Sequence, residues 1–305
     1  MTPSRRSVLA ASALGLGAAT VARAGAPLAL GNAARFSLKF APHEGSFASR
    51  GGLTEQIAYA ADQGFTAWED NEAVSRPVTQ QEAMAKALRQ RGMTMGVLVA
   101  SMPKWSQFRP ILGANDGAER EAMLADLNTA LEVAKRLDAK WLTVVTGFMD
   151  PKVPLDLQTA RVIELMRRAG DVAARAGRVL VMEPLNTITN HPNIFMRTIP
   201  QGYLVAKGAN SPGVKVLADL YHAQIQAGNL IPTLDSCWDE IAYIQFGDNP
   251  GRLEPGTGEI NYKTIVQWLR RRGYAGVIGM EHGNSLEGRA GEDRLIAAYR
   301  AIDAA

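Results

Sequence analysis

The sequence predicts a (β/α)8 TIM barrel, and three observations predict it. Short apolar runs alternate with longer helical patterns eight times between residue 35 and the C-terminus. Several of these runs stop on a carboxylate or an amide, and the C-terminal ends of strands are where such barrels place their chemistry. A doubly wound open sheet would need a Gly-rich phosphate turn after an early strand, and the sequence has none. With 305 residues, 47% hydrophobic and 21% charged, the chain is long enough for one large domain with a full core. The barrel is assigned to residues 35–305, as a single domain, with 25–34 as a lead-in segment.

The elements follow in order. Residues 35–40 read as the first strand and 53–63 as the first helix, stopped by Gly64. The second strand is 65–69, and its helix, 80–91, ends at Gly92. The third strand is 95–100. The helix after it, 119–137, carries Met123, Leu127, Ala130, Leu131 and Ala134 on one face. Residues 141–146 form the fourth strand and 157–176 its helix. The fifth strand runs to Glu183, a short helix is expected near 201–208, and the sixth strand runs to Asp219. The seventh ends near Gln245, followed by a helix over 261–272 that Gly273 stops. The eighth ends at Glu281, and 292–303 closes the chain as a helix.

Residues 1–24 stand outside this pattern. Ser4-Arg5-Arg6-Ser7-Val8-Leu9 is a twin-arginine pattern, an apolar small-residue stretch follows to Val21, and Ala22-Arg23-Ala24 is a cleavage box. A cleaved twin-arginine signal peptide and a periplasmic mature protein are expected. The stretch is too short and too rich in Gly and Ala for a membrane span. The net charge of +3 is carried by this segment. It holds three of the 33 Lys and Arg and no Asp or Glu, which leaves 30 basic against 30 acidic residues. A neutral mature chain gives no support for nucleic acid or membrane partners. Cys237 is the only cysteine, so no intrachain disulfide forms, and it reads as a small buried hydrophobe.

Four strand-like runs end on Glu183, Asp219, Gln245 and Glu281. Pro184 ends strand pairing just after the first of them. In neighbouring parallel strands these four side chains converge. Three carboxylates and an amide oxygen suit one hard divalent cation such as Mg or Mn. Glu183 and Glu281 could also move a proton. His222, three residues past Asp219, returns to the same side on a first helical turn, where it ligates the metal or bonds a substrate oxygen. Arg252, in the tight loop 249–252, suits a carboxylate or phosphate. Earlier strand ends offer His43 and Trp68 as walls of a sugar-sized pocket, and Glu69 or Asp70 as partners of substrate hydroxyls or of a histidine. Trp105 and Phe108 read as a lid or an oligomer contact. His282 points the other way along its strand and reads as structural.

The segments Met-Glu183-Pro-Leu-Asn186, Asp219-Leu-Tyr-His222, Ile-Gln245, Gly251-Arg252, Gly258-Glu259-Ile-Asn261-Tyr262 and Gly-Met-Glu281 resemble the hydroxypyruvate isomerase group of the xylose-isomerase-like TIM barrels, which also include ketose 3-epimerases. The resemblance spans nearly the whole mature chain and is most specific over 179–282. It implies a divalent metal, Mg or Mn with Co or Zn as alternatives, held by Glu183, Asp219, Gln245 and Glu281. It implies Glu183 and Glu281 as the acid/base pair, His222 and Arg252 as substrate contacts, and a homo-oligomer. Residues 187–192 and the early strand ends depart from the group's best-known members.

The expected activity is isomerisation of a small sugar or hydroxy-carbonyl compound. A glutamate takes the proton between carbonyl and hydroxyl, giving a metal-stabilised cis-enediolate. Its return to the neighbouring carbon is isomerisation; its return to the opposite face is epimerisation, as in a ketose 3-epimerase. An enzyme that oxidises or eliminates from sugars or glycosides with the same metal and base also fits export. A non-catalytic periplasmic sugar-binding barrel would not need two opposed carboxylates. A nuclease of the endonuclease IV type would need a His-rich multi-zinc site, and this chain has 4 His.

Overall fold

In the computed structural model the described residues are 33–102, 112–113 and 117–305. The expected signal peptide, most of the lead-in segment, and Trp105 and Phe108 lie outside them. The strands are β1 (Lys39–Ala41), β2 (Ala67–Trp68), β3 (Thr94–Met95), β4 (Leu98–Ser101), β5 (Trp141–Val144), β6 (Val179–Met182), β7 (Val214–Asp219), β8 (Ile241–Gln245) and β9 (Val277–Gly279). The helices are α1 (Leu53–Asp62), α2 (Val78–Arg91), α3 (Gly117–Leu137), α4 (Leu155–Arg175), α5 (Ile199–Ala209), α6 (Leu220–Gln226), α7 (Leu230–Ser236), α8 (Tyr262–Arg271) and α9 (Gly288–Asp303).

All strand pairs are parallel. One sheet has the order β1-β9-β8-β7-β6-β5-β4, and β2 pairs with β3. The ring closes through Glu69 N–H donating to Pro42 O at 2.9 Å and through β9 lying beside β1. The expected third strand is broken into β3 and β4 around Gly96. The break has a steric cause: a side chain at Gly96 would collide with the Tyr243 hydroxyl and crowd the Trp68 carbonyl.

Alternation along each strand sorts the core into two layers. Ala41, Ala67, Val97, Trp141, Val181, Leu217, Tyr243 and Val277 form one buried cluster, a single residue from each of the eight barrel positions. They fill the barrel interior as a packed layer. Their neighbours Phe40, Trp68, Leu98, Leu142, Met182, Ala218, Ile244 and Ile278 join the larger core between sheet and helices. Helix ends follow local chemistry. Gly92 closes α2 in the left-handed region, the Thr198 hydroxyl caps α5, and the Asn261 side chain caps α8.

Two elements differ from the sequence reading. Residues 220–236 fold into α6 and α7, short helices separated by left-handed Gly228 and Asn229 that interrupt any longer apolar period. The closing helix begins at Gly288, four residues earlier than the apolar pattern marks. No helix among the described residues is long and apolar enough to cross a membrane.

Candidate active site

Two residues beyond the interior cluster, each strand presents its next inward side chain. From Ala67, Val181, Leu217 and Tyr243 this step reaches Glu69, Glu183, Asp219 and Gln245. From Val277 it reaches Gly279, and one further step reaches Glu281. The tetrad expected from the sequence therefore shares one end of the barrel, with Asp219 directly opposite Gln245 in the β7–β8 register. Glu183, Asp219 and Gln245 are 7%, 2% and 1% exposed, so their charges and dipoles act with little screening by water.

Asp219 caps α6. Its Oδ1 accepts the Tyr221 and His222 N–H groups at 2.8 and 3.3 Å, which leaves Oδ2 to face the site. Arg252 Nη2 lies 3.0 Å from both Asp219 Oδ2 and Glu281 Oε2. It hydrogen-bonds the first, while Glu281 Oε2 is held by charge without an aligned bond. Arg252 Nε also donates to Glu281 O at 3.1 Å, and its guanidinium lies 5.0 Å from the centre of the Tyr221 ring. The loop carrying Arg252 is built around fully buried Asp248, whose carboxylate accepts the N–H groups of Asn249, Gly256, Gly258 and Ile260 at 2.8–3.1 Å.

His222 is buried and fixed in one tautomer. Asn186 Oδ1 accepts the Thr189 and Asn190 N–H groups, so its amide nitrogen faces His222 Nδ1 at 2.6 Å. Nδ1 therefore accepts, and Nε2 carries the proton, 3.6 Å from Asp219 Oδ2. Burial lowers the imidazole pKa to about 4, so the ring is neutral at pH 7. That arrangement makes Nε2–H a donor to an oxygen in the site.

Glu69 lies beneath the tetrad. It accepts from Tyr243 Oη at 2.8 Å and from Gln245 Nε2 at 3.0 Å. The second bond sets the orientation of the Gln245 amide and leaves its buried Oε1 without a hydrogen-bond partner among the described residues. Room for Glu69 exists because Gly279 occupies the facing position; a Cβ there would overlap Glu69 Oε2.

Charge is penalised throughout. Burial, then the charges of Glu281 and Asp219, hold Glu183 well above the usual carboxylate range, opposed by Arg252. Glu69 is raised by burial and by Glu281. Glu281 is raised by burial, with Arg252 pulling it back. Four acids compete in one dry space with a single guanidinium, and that is a site missing positive charge. The unpartnered Gln245 Oε1 points to the same deficit.

Ligand atoms of Glu183, Asp219 and His222 lie within 4.8 Å of one another. This differs from the expected set. Glu281 is drawn aside by Arg252 and by Asn71, whose amide donates to Glu281 Oε1 at 3.4 Å, and His222 stands closer. The donor types fit a hard or borderline divalent ion.

Two expected pocket residues behave differently. Trp68 is fully buried and faces the helix layer, because alternation sends 68 outward where it sends 67 and 69 inward. Glu69, its neighbour, is the inward residue. His43 reaches the mouth, but its ring nitrogens face the Glu44 and His282 carbonyls at 2.7 and 3.2 Å, so both are engaged. Asp70 is paired with Arg76 rather than with a histidine. His282 points away from the site and stacks on Tyr299 of α9. Asn186, Asp248 and the positioning geometry of Glu69 were not legible as site features; period-2 counting from the strand cores would have found Glu69.

Fold and site together define a parallel barrel with an acidic, metal-suited mouth, and a family model fits that class. Residues 57–302 match the model described as "Xylose isomerase-like TIM barrel", and the chain belongs to that family. The 2-oxo-tetronate isomerase of Pectobacterium atrosepticum is 30% identical over 235 residues, covering 75% of this chain and 85% of the relative. The hydroxypyruvate isomerase of Escherichia coli is 28% identical over 153 residues, covering 50% of this chain and 59% of the relative. A crystal structure described as an AP endonuclease, family 2, from Brucella melitensis superposes with a TM-score of 0.72 at 27% identity, over 83% of this chain and 96% of that one. The protein is an isomerase of this family.

Proposed function

We propose that the protein is a divalent-metal-dependent isomerase of a sugar or small hydroxy-carbonyl compound. The observation that carries this reading is the meeting of two buried glutamates with raised pKa around Asp219 and an unpartnered Gln245 oxygen. Glu183, Asp219, Gln245 and Glu281 would hold the metal, with His222 within reach. When bound, a divalent ion supplies positive charge at adjacent carbonyl and hydroxyl oxygens and acidifies the C–H between them.

The chain's own residues do the rest. One of Glu183 and Glu281 takes the C–H proton and the other, or the same one, returns a proton to the neighbouring carbon. A hydroxyl proton passes to the former carbonyl oxygen, so atoms balance and no external oxidant or reductant is needed. His222 Nε2–H donates to a substrate oxygen. Arg252 neutralises negative charge that develops on the substrate and is pre-oriented by Asp219 and Glu281. Closely packed side chains keep bulk water from the enediolate. Two raised glutamates also favour a second outcome, epimerisation at the carbon beside the carbonyl, with one acid on each face.

The test joins metal analysis to solvent-deuterium incorporation by NMR, with hydroxypyruvate, 2-oxo-tetronate and ketoses as substrates. Bound metal, and deuterium entering beside the carbonyl but not in Glu183→Gln or Glu281→Gln, supports the reading. A metal-free protein that exchanges no proton sinks it. Deuterium retained at the original carbon with inverted configuration selects epimerisation.

We also propose that residues 1–24 are a twin-arginine signal removed on export, leaving a periplasmic enzyme; the sequence pattern supports this. N-terminal sequencing of the fractionated protein tests it, and a cytoplasmic protein that retains Met1 counts against it.

A further inference from the structure

Outward from Glu281 the site opens into a cavity of about 430 Å³ between the loops that follow β1, β2 and β9. Arg252 and Glu281 form its inner end; Glu44, Asp70, Asn71, Glu72 and Arg76 belong to its outer wall. It is continuous with the reacting groups, since the Asn71 amide reaches Glu281 Oε1. Cavities of roughly 300–1,000 Å³ enclose most of a whole small-molecule ligand. A three-carbon keto acid seated between Glu183 and Glu281 would leave this space to water.

The wall chemistry selects what fills it. Arg76 is the outer guanidinium, and it is already committed. Its Nε and Nη2 donate to Asp70 at 2.6 and 3.1 Å, and Nη2 also donates to Glu44 Oε2 at 2.6 Å. Asp70 is buried and gripped at both oxygens, so the pair is a rigid wall and not a mobile anion clamp. Glu72 adds a third carboxylate. Three carboxylates against one shared guanidinium leave the outer wall acidic, which repels a terminal carboxylate or phosphate. Hydroxyl groups meet no such penalty. They donate to the carboxylates of Glu44 and Glu72, and they accept from the Asn71 amide.

We propose that this cavity holds the uncharged, polyhydroxylated end of a hexose-sized substrate, a ketose or a keto-glycoside, with its carbonyl directed to Glu183 and Glu281. The proposal rests on the isomerase reading for that last orientation. It sets this chain apart from relatives named for short keto acids, by the size and charge of the far end of the substrate.

The experiment compares D-fructose and D-tagatose with their 6-phosphates, and with hydroxypyruvate, on the mature protein supplied with Mn²⁺. Binding is read by saturation-transfer NMR and competition, and chemistry separately by deuterium incorporation. The expected result is that the neutral hexuloses bind at least tenfold more tightly than their 6-phosphates. Glu44→Gln combined with Glu72→Gln, two exposed positions whose change does not threaten folding, should narrow that gap. Equal or tighter binding of the phosphates overturns the proposal, as does failure of either hexulose to bind while hydroxypyruvate does. Neutral sugars that bind with the expected preference but exchange no deuterium uphold the cavity assignment and reject the isomerase reading instead.

Discussion

Two regions of this barrel bury glutamates, and they treat them in opposite ways. Around the loop that precedes α1 and around α9, Glu292 is 1% exposed and accepts from Ser49 N, Ser49 Oγ and Arg50 Nε at 2.6–2.8 Å. Glu254, fully buried, accepts from Ser285 and Arg294; burial raises its pKa, but the Ser285 hydrogen bonds outweigh that and leave it lowered. At the mouth, Glu183 and Glu281 are equally dry but face other acids, and their pKa values rise. The difference teaches that burial alone does not mark a working carboxylate. A clamp acid is matched by donors when the chain folds. A site acid is left short of positive charge, which prepares it for a cation or a proton.

The sharpest break in this comparison is on activity. Glu183→Gln and Glu281→Gln should each cut kcat for deuterium exchange by about 10²–10⁴-fold. Urea unfolding of the metal-free variants should show stability unchanged or slightly increased, because an amide removes like-charge repulsion. Loss of stability without loss of exchange would place these glutamates with the clamps.

Glu292→Ala should do the reverse. It strands Arg50 and the Ser49 N–H, and a loss of about 3 kcal/mol is expected in urea unfolding, with kcat within about twofold of the parent.

Glu69 lies between the two types, since it is paired and yet touches the site. Glu69→Gln lets the new amide donate to Gln245 Oε1 and turn it from the mouth. Divalent-metal affinity measured by calorimetry should weaken by about 10–100-fold, with little change in unfolding midpoint. Unchanged affinity would reduce Glu69 to a packing role.

The smallest effect is on pH dependence of the metal-free protein. Glu183, Glu69 and Glu281 have folded pKa values above their unfolded ones, so the folded chain binds more protons. Their contribution is complete below the ordinary carboxylate pKa and is lost as pH rises through the raised values. His222 acts oppositely: depressed from 6.5 to about 4, it contributes above 6.5 and loses that as pH falls through 4. Above pH 6.5 only the carboxylates act, and stability in chelator should fall with a slope of about 1.4 kcal/mol per pH unit for each proton involved. Saturating Mn²⁺ should flatten the slope; an unchanged slope would mean that the ion does not meet these groups.

Much of the mouth was legible because its signals are local. A strand that alternates and then stops on Glu183 or Asp219 announces both its face and its end. Trp68 shows where that reading slipped. Beside Glu69 it looked like a sugar platform, yet one residue along a strand reverses the face, and Trp68 packs against helices while Glu69 enters the site. The capping of α6 by Asp219 was hidden for a different reason: the side chain serves a helix terminus and the site at once, with one oxygen for each. Arg252 was legible as a loop arginine, but its span between Asp219 and Glu281 depends on Asp248 gathering four distant N–H groups.

By itself the sequence determined the order of strands and helices, the parallel barrel and the polar strand ends, since hydrophobic periodicity and Gly stops act over a few residues. Only the tertiary structure decided which buried acids are matched and which are left wanting, how Gly279 makes room for Glu69, and which tautomer Asn186 imposes on His222. Those outcomes turn on desolvation, charge and hydrogen-bond geometry among groups far apart in the chain, and no local pattern carries them.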